Sequence, residues 1–348
     1  MDSTGFRALV SGRQRGLGPA ALRGGLRLAE VAYTAGVCYR NTRYDRGAAT
    51  VHRMAVPVVS VGNLTLGGTG KTPMVAWLVR WFAARGVRAA VLSRGYGAAG
   101  GSRNDEALEL EQRLPGAIHL QNPDRVAAAE EAVSKLHAEV IVLDDGFQHR
   151  RLARDLDVVL LDALEPFGFG HVFPRGMLRE PIVGLRRADV VVLTRADLVD
   201  AQQRGQIWKI VHRHAPQAAC AETTHAPRQL IAVDGRQESL AAIRGAAVAA
   251  FCGLGNPAGF RRTLEALGCR PVAFREFPDH HRYSQGDIEA LAAWIRTLDV
   301  SAVVCTPKDL VKLPVGELAS RPLWAVAVAI EFLSGQDALE DRLQRLYH

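Results

Sequence analysis

A glycine-rich segment between a buried strand and a helix is the feature that most restricts what this chain can fold into. Residues 56–66 read VPVVSVGNLTL, an apolar run typical of a buried strand, and GGTGKTP follows at 67–73. The glycines allow the backbone to curl around an anion, and the next helix N-terminus adds partial positive charge. Lys71 can then reach the outer phosphates of a nucleotide, while the Thr72 hydroxyl can bind Mg²⁺. The predicted nucleotide-phosphate site consists of Gly67, Gly68, Thr69, Gly70, Lys71, Thr72 and Pro73.

The loop departs from the strict P-loop pattern at one position. That pattern places a glycine six residues before the lysine, where this chain has Thr65. The structural alternative is a glycine-rich turn followed by a chance Gly-Lys-Thr. The strand before the loop and the apolar helix pattern after it favour the phosphate site, because a chance match would lack them. The helix pattern comprises Val75, Leu78, Val79 and Phe82.

Composition limits the classes of partner. The 348 residues are 48% hydrophobic and 23% charged, a balance typical of a folded protein with room for two domains. The net charge of +7 indicates an anionic partner, which is a nucleotide, an acidic lipid surface or nucleic acid. The sequence has neither zinc-finger spacing nor an aromatic RNA-binding motif, so nucleic acid is not expected.

Cysteine spacing and hydropathy indicate the compartment. The five cysteines are scattered and form no CxxC pair, which predicts free thiols in a reducing environment. The sequence has no run of 18 apolar residues and no signal-peptide pattern, so we expect neither a membrane-spanning helix nor export. These patterns predict a cytoplasmic location.

The N-terminal region combines apolar and basic residues. Residues 1–18 are rich in glycine and arginine and are expected to be irregular. A helical pattern begins at Pro19, with leucines, alanines and valines interrupted by Arg23, Arg27 and Arg40. The pattern fits a helix lying at a membrane interface, and it fits equally a helix packed on the protein's own core. The residues alone leave both interpretations open.

A second apolar strand ends in paired carboxylates. Residues 140–143 read VIVL and are followed by Asp144 and Asp145, the Walker B arrangement in which an acid at a strand tip holds Mg²⁺. Paired aspartates can also simply begin a turn. The upstream phosphate loop favours the metal interpretation. Gln148 and His149 follow closely and could orient substrate or water.

Further strands and loops complete an α/β pattern. Strands are predicted at 87–93, 157–162 and 189–193, and the glycine-rich, aromatic and basic loop 167–179 suits a lipid or a phosphate-bearing substrate. Thr194-Arg195-Ala196-Asp197 resembles the guanine-reading element of GTPases, except that Arg195 replaces its lysine. Guanine specificity is therefore not expected.

The character of the chain changes near residue 220, where a smaller α/β unit begins. Its turn at Gly253-Leu254-Gly255 is interpreted as a tight strand-to-helix connection rather than as a second phosphate site. Asp279 next to two histidines is interpreted as a carboxylate–imidazole contact rather than as a metal site. The predicted divisions are an N-terminal helical segment, a P-loop core, a smaller α/β domain and a terminal helix: 1–54, 55–221, 222–332 and 333–348.

Taken together, these motifs resemble the tetraacyldisaccharide 4′-kinases, the lipid A 4′-kinases of Gram-negative bacteria. The resemblance covers nearly the whole chain, and the shifted P-loop is the form that this family uses. Ala107 departs from the family, which tends to have proline there. The matching segments are Val61–Leu64 with Gly67–Pro73, Ser93–Gly97, Asp105-Glu106, Asp144–His149, Pro174–Glu180 and Asp279–His281.

The resemblance implies a fold, a reaction and a location. The fold would be a P-loop NTPase-like, mostly parallel sheet with helices on both faces, plus a smaller C-terminal α/β domain and an N-terminal membrane-associated helix. The reaction would transfer the ATP γ-phosphate, with Mg²⁺, to the 4′-hydroxyl of a tetraacylated glucosamine disaccharide 1-phosphate. This glycolipid would be met at an anionic membrane surface, the cytoplasmic face of the bacterial inner membrane. A monomer is the favoured state.

The resemblance also implies roles for individual residues. Lys71 would hold the β- and γ-phosphates, and Asp105 would be the general base, supported by His280 or, failing that, His281. Because Asp105 and His280 fall on different predicted domains, domain closure on binding is expected. The implied metal ligands are Thr72, Asp144, Asp145 and Glu180. The implied substrate contacts are Asn63, Gln148, His149 and Arg179.

Two other classes of protein share part of this pattern. A P-loop GTPase or metallochaperone-type nucleotide switch shares the phosphate loop and the Thr-x-x-Asp element, but Arg195 and the basic aromatic loop disfavour it. A non-enzymatic scaffold at a membrane surface would leave the acidic residues without a role. The kinase interpretation accounts for all of these features.

Overall fold

A computed structural model describes residues 3–95, 105–254, 257–278 and 281–347. The chain forms two compact units. The larger unit contains residues 5–107, 114–225 and 330–348, and the smaller unit contains 226–329 with the short segments 1–4 and 108–113. The two long strands β7 and β13, given below, each run from one unit into the other.

Helices and strands alternate along most of the chain. The α-helices are α1 (Ser3–Val10), α2 (Leu17–Asp45), α3 (Lys71–Ala83), α4 (Asp105–Arg113), α5 (Arg125–Ser134), α6 (Ala201–His214), α7 (Pro257–Ala266), α8 (Gln285–Arg296), α9 (Pro307–Leu310) and α10 (Gln336–Gln344). The strands are β1 (Val58–Asn63), β2 (Ala89–Ser93), β3 (Ile118–Gln121), β4 (Val140–Asp144), β5 (Leu156–Asp162), β6 (Val190–Thr194), β7 (Ala219–Ile231), β8 (Gln237–Glu238), β9 (Ala247–Cys252), β10 (Arg270–Glu276), β11 (Ala302–Cys305), β12 (Glu317–Leu318) and β13 (Arg321–Ser334).

The larger unit is built on a parallel sheet with the order β7-β6-β5-β1-β4-β2-β3. Its central strands are buried on both faces, as parallel strands covered by helices must be. Ile141 and Leu143 pack with α5 on one face, while Val191 and Leu193 pack with α6 on the other. The predicted P-loop NTPase-like α/β class is confirmed.

The smaller unit repeats this layering on a smaller scale. Strands β10, β9, β11 and β13 pair in that order and in parallel, and β12 and β8 add short antiparallel pairs. Phe260 and Leu264 of α7 belong to one core cluster, and Leu291 and Ile295 of α8 belong to another. The unit is therefore also α/β, as predicted.

Three elements differ from the sequence expectations. The first ten residues contain α1 instead of an irregular segment, because Leu9 and Val10 are buried and Arg175 donates to the Val10 carbonyl oxygen at 2.9 Å. Strand β3 was not predicted, since it is a short strand of four half-buried residues. The apolar pattern of the sequence predicts a strand only near residues 229–233, whereas β7 already begins at Ala219, because pairing with β6 gives the polar run before it strand structure.

Helix α2 has an inverted amphipathic pattern. Its exposed face carries large apolar side chains, whereas its inward face combines the buried Val37 with polar side chains that contact the rest of the larger unit. Glu30 accepts from the Val172 N–H at 2.8 Å, and the Tyr33 hydroxyl donates to the Arg179 carbonyl oxygen at 3.3 Å. The exposed apolar residues are Leu17, Leu22, Leu28, Val31 and Tyr39, of which Leu28 is 76% and Val31 64% exposed. None of the helices in the described ranges is long and apolar enough to cross a bilayer.

Candidate functional site

The phosphate loop is shaped by two left-handed glycines and a short antiparallel bridge. Gly67 has φ +129° and Gly70 has φ +87°, conformations that other residues adopt only with strain. Thr65 pairs with Leu178, where the Leu66 N–H donates to the Met177 carbonyl oxygen at 2.7 Å. This bridge keeps Thr65 out of the left-handed region, which explains why a non-glycine residue is tolerated there.

Side chains at the ends of β1 and β6 donate hydrogen bonds to carbonyl groups of the phosphate loop. The Asn63 amide donates to the Gly67 carbonyl oxygen at 3.4 Å, and the Thr194 hydroxyl donates to that of Thr69 at 3.0 Å. Arg195 donates to the Gly68 carbonyl oxygen at 3.2 Å and also pairs with Asp162. The Thr-Arg element therefore supports the phosphate loop.

The paired aspartates lie at the same sheet edge as the phosphate loop. Asp144 ends β4 and pairs in register with Val61 of β1. Asp145 has φ +54°, and the next residue must be glycine, because a Cβ at Gly146 would lie 2.7 Å from the Ser60 hydroxyl oxygen. This turn brings the Asp145 carboxylate to within 3.5 Å of Lys71 Nζ, at the start of α3.

Two cations contact the Asp145 carboxylate. Lys71 Nζ lies 3.5 Å from Asp145 Oδ1, and Arg179 donates to Asp145 Oδ2 at 2.7 Å. Burial by itself raises the pKa of Asp145, but Lys71 and Arg179 outweigh it and lower the pKa to about 2. Asp145 is therefore ionised at neutral pH. Its carboxylate holds Lys71 beside the glycines of the loop.

Arg125 is a site residue that sequence reasoning missed. Its side chain is buried, and it donates to the Asp144 carbonyl oxygen at 3.1 Å. Burial lowers the pKa of the Arg125 guanidinium, and the charges of Asp145 and Asp144 oppose that change. A cation in the first turn of a helix opposes the helix dipole, and this unfavourable placement is the signal that could have identified it.

The donor chemistry at this edge fits a magnesium ion. Thr72 offers a hydroxyl, and Asp144 and Asp145 offer carboxylates, the oxygen donors that Mg²⁺ prefers. Within the described ranges, no group of three or more His, Cys, Asp or Glu side chains forms a complete metal cage. This agrees with the usual Mg²⁺ site of kinases, in which nucleotide phosphates and water supply the remaining ligands.

The other predicted site residues are engaged in the protein to different degrees. Gln148 donates to the Asn63 carbonyl oxygen at 2.9 Å, and Glu180 is fully buried. Burial, followed by the nearby arginines, lowers the pKa of His149 to about 4, so its ring is neutral at pH 7. His149 Nε2 and Gln148 Oε1 are buried atoms for which no hydrogen-bond partner is found among the described residues. Both could accept a hydrogen bond from substrate.

Part of the predicted catalytic machinery lies outside the described residues. Asp105 begins α4, but its side chain is not described, and Asp279 and His280 fall in the gap at 279–280. The ring of His281 stacks on Phe277 at 4.8 Å, and its Nε2 lies 3.3 Å from Asp287. His281 is therefore engaged within the smaller unit.

The turn at Gly253 is held by a buried carboxylate. The Gly253 N–H donates to Asp309 Oδ1 at 3.0 Å, and the Tyr283 hydroxyl donates to the same oxygen at 2.9 Å. Burial raises the pKa of Asp309, against the effect of these donors. The Gly253 N–H is therefore bonded within the protein, while Gly255, the second glycine of the predicted turn, lies outside the described residues.

Comparison with known proteins points to one family. The sequence profile described as LpxK, tetraacyldisaccharide-1-P 4′-kinase, matches residues 22–348. A tetraacyldisaccharide 4′-kinase of Anaeromyxobacter sp. (strain K) is 45% identical over 337 residues, covering 91% of this chain and 89% of the relative. One from Geobacter sulfurreducens is 37% identical over 346 residues, covering 94% of this chain and 95% of its own.

A solved structure matches along nearly the whole chain. The crystal structure of LpxK from Aquifex aeolicus in complex with ATP superposes with a TM-score of 0.74 at 28% identity. It covers 94% of this chain and 100% of its own. The sequence and structural matches therefore agree.

Proposed function

The chain belongs to the tetraacyldisaccharide-1-P 4′-kinase family, and from that premise we propose that it phosphorylates the 4′-hydroxyl of a tetraacylated glucosamine disaccharide 1-phosphate with ATP. The family match makes it an ATP-dependent kinase with a hydroxyl acceptor. The observation that carries the proposal is the joining of a phosphate loop and two strand-end aspartates at one sheet edge. Phosphoryl transfer depends mainly on such positioning and on neutralising charge.

Different residues of the larger unit are proposed to bind the phosphates and the Mg²⁺ ion of ATP. Lys71 leaves Asp145 for the β- and γ-phosphates, whose negative charge it neutralises, and the loop amides hold the same groups. Thr72, Asp144 and Asp145 would hold Mg²⁺, which screens the phosphate charge when bound. Arg179 remains at Asp145 and keeps that carboxylate ionised.

Asp105 is the proposed general base. Its carboxylate takes the proton of the 4′-hydroxyl as the hydroxyl oxygen attacks the γ-phosphorus and the bond to ADP breaks. His280 is proposed to orient Asp105 and to stabilise its charge. The engaged ring of His281 supports the choice of His280, because stacking on Phe277 and the contact with Asp287 occupy that neighbour.

We propose that α2 lies at the membrane surface where the acyl chains of the substrate reside. A helix that only packs on its own core would bury its large apolar side chains, whereas α2 leaves Leu28 and Val31 largely exposed. Arg40 and Arg43 are exposed on the same helix, where their positive charges would attract anionic headgroups. Together with the cytoplasmic location predicted from the sequence, this placement of α2 would make the chain a peripheral protein on the cytoplasmic face of the inner membrane.

Charge on the apolar face of α2 should weaken membrane binding. The variant Leu28→Glu/Val31→Glu removes two side chains whose burial contributes about 1.5–3 kcal/mol each. We expect co-sedimentation with phosphatidylglycerol-containing vesicles to fall by roughly tenfold or more, since about 1.4 kcal/mol corresponds to a factor of ten. Val272→Glu is the matched control, because Val272 is exposed on β10 of the smaller unit. Unchanged vesicle binding, with a loss of self-association instead, would assign this face to a second copy of the chain.

The activity is tested with γ-labelled ATP and the disaccharide 1-phosphate in mixed micelles. We expect a doubly phosphorylated lipid, and ATP should be preferred over GTP. Label that stays in ATP, or moves only to water, would contradict the proposal. A preference for GTP would favour the nucleotide switch, which the comparisons do not favour and which the engagement of Arg195 with the phosphate loop also opposes.

A further inference from the structure

Glu180 is a fully buried carboxylate that hydrogen bonds connect to the phosphate loop. Its side chain is fully buried and lies opposite Arg187, which donates to Oε1 at 2.8 Å and to Oε2 at 2.9 Å. The Arg187 guanidinium lies over the Phe147 ring, 4.3 Å from its centroid. A Cβ at Gly184 would lie 2.7 Å from Glu180 Oε2, so the surrounding chain fixes the carboxylate in place. Both hydrogen bonds come from Arg187 Nη2, so one charged nitrogen holds both carboxylate oxygens in place.

One oxygen of this carboxylate is connected to the phosphate loop. Gln148 donates through Nε2 to Glu180 Oε1 at 3.0 Å and to the Asn63 carbonyl oxygen at 2.9 Å. Asn63 is the last residue of β1, and its own side chain holds the Gly67 carbonyl oxygen. Two successive hydrogen bonds therefore join Glu180 to the start of the loop.

The other oxygen, Oε2, is connected to helix α2. Asn41 of α2 donates through Nδ2 to Glu180 Oε2 at 3.0 Å. Its side chain belongs to the polar inner face of that helix. The Glu180 carboxylate thus accepts one hydrogen bond from Asn41 of α2 and one from Gln148, which also bonds the end of β1.

We propose that Glu180 is a positioning residue that fastens α2 and the end of β1 to one anchor, in place of the metal role predicted from the sequence. Both carboxylate oxygens already accept hydrogen bonds from protein donors, and Arg187 balances the charge. A carboxylate that binds Mg²⁺ must direct a lone pair at the ion and be accessible to it. The buried and fully hydrogen-bonded carboxylate of Glu180 meets neither condition. The part of this inference that concerns the lipid rests on the proposed function. The part that concerns nucleotide binding does not.

The decisive variant is Glu180→Gln, which keeps the shape and removes the charge. We expect kcat/KM to fall roughly 10- to 100-fold, as for other residues that orient a site through a neighbour. The Mg²⁺ concentration for half-maximal rate should stay unchanged. The Mg²⁺ dependence of binding should also stay unchanged for a fluorescent trinitrophenyl-ATP, titrated with and without Mg²⁺ in the absence of lipid. A severalfold increase in the Mg²⁺ requirement would make Glu180 a metal ligand and overturn the proposal.

Two further variants keep the test meaningful if Glu180→Gln does not fold. Gln148→Met breaks the link to Asn63 while leaving the Glu180–Arg187 pair intact, and it should weaken trinitrophenyl-ATP binding severalfold. Asn41→Ala should raise KM for the lipid with little change in nucleotide affinity. Asp45→Asn is the matched control, since it removes contacts of α2 with Arg150 and Arg186 that do not reach the loop.

The outcomes separate this inference from the proposed function. Unchanged nucleotide binding in Gln148→Met, or equal effects of Asn41→Ala and Asp45→Asn on the lipid KM, would overturn the positioning role. A wild-type protein that binds nucleotide but does not phosphorylate the disaccharide would contradict the proposed function alone. In that case the nucleotide titrations would still decide the role of Glu180.

Discussion

Asp105→Asn is expected to lower kcat on the tetraacylated disaccharide by roughly 10²–10⁴-fold, the usual contribution of a general base. Asparagine has nearly the same shape as aspartate but cannot accept the proton of the attacking hydroxyl. The KM values for ATP and for the lipid should change little, because the phosphate loop and α2 are untouched. Initial rates at varied ATP and varied lipid measure the two contributions separately.

Neighbouring residues offer matched controls for this prediction. Glu106→Gln removes a charge one position along α4 and should leave kcat within a few-fold of wild type. His280→Ala should lower kcat far more than His281→Ala, since the ring of His281 is engaged with Phe277 and Asp287. Near-normal kcat in Asp105→Asn, or equal loss in Glu106→Gln, would show that the base is another group.

Lys71→Met is expected to lower kcat/KM by roughly 10²–10³-fold, comparable with the loss of one preorganised charge-stabilising donor. Methionine fills a similar volume without the ammonium that neutralises the β- and γ-phosphates. Steady-state kinetics with ATP measure the effect, and Lys135→Met is the control, because Lys135 is an exposed lysine directly after α5. A loss of less than about fivefold would remove Lys71 from the phosphate site.

The same variant has a consequence for Asp145. Burial raises the pKa of that carboxyl, and Lys71 is the largest of the charges that lower it from 3.8 to about 2. Without Lys71 the pKa should rise, which a ¹³C NMR titration of the carboxyl group would detect. A folded-state pKa below the unfolded value stabilises the protein above about pH 4, and this contribution is lost as the pH falls towards 2. The variant should therefore lose less stability than wild type over that pH range.

Local motifs in the sequence predicted much of the larger unit. The apolar run before Lys71 and the one before Asp144 became neighbouring, fully buried strands, because runs of this kind are stable only between two layers of helices. The predicted apolar positions of α3 are all buried. What could not be seen from the motif was why Thr65 replaces a glycine, since its bridge to Leu178 joins residues more than a hundred positions apart.

Residues whose role depends on distant partners were the ones that the sequence analysis missed or interpreted differently. Arg125 belongs to no motif in the sequence, and its part in the site follows only from its hydrogen bond to the Asp144 carbonyl oxygen. Glu180 carries the same carboxylate as Asp145, yet its burial against Arg187 gives it a different proposed role. Strand β7 resembled a linker because its polar residues acquire strand structure only by pairing with β6.

By itself, the sequence determined the strand–loop–helix at 56–73, the paired aspartates at the next buried strand and the basic, apolar character of the N-terminal helix. These features follow from short-range patterns, in which glycine conformation, strand burial and helix periodicity act over a few residues. Only the tertiary structure decided that α2 has its apolar face outward and that Arg179 and Lys71 share Asp145. It also decided that Glu180 receives both Gln148 and Asn41. Such assignments depend on which side chains the folded sheet and helices bring within hydrogen-bonding distance, and spacing along the chain does not encode that distance.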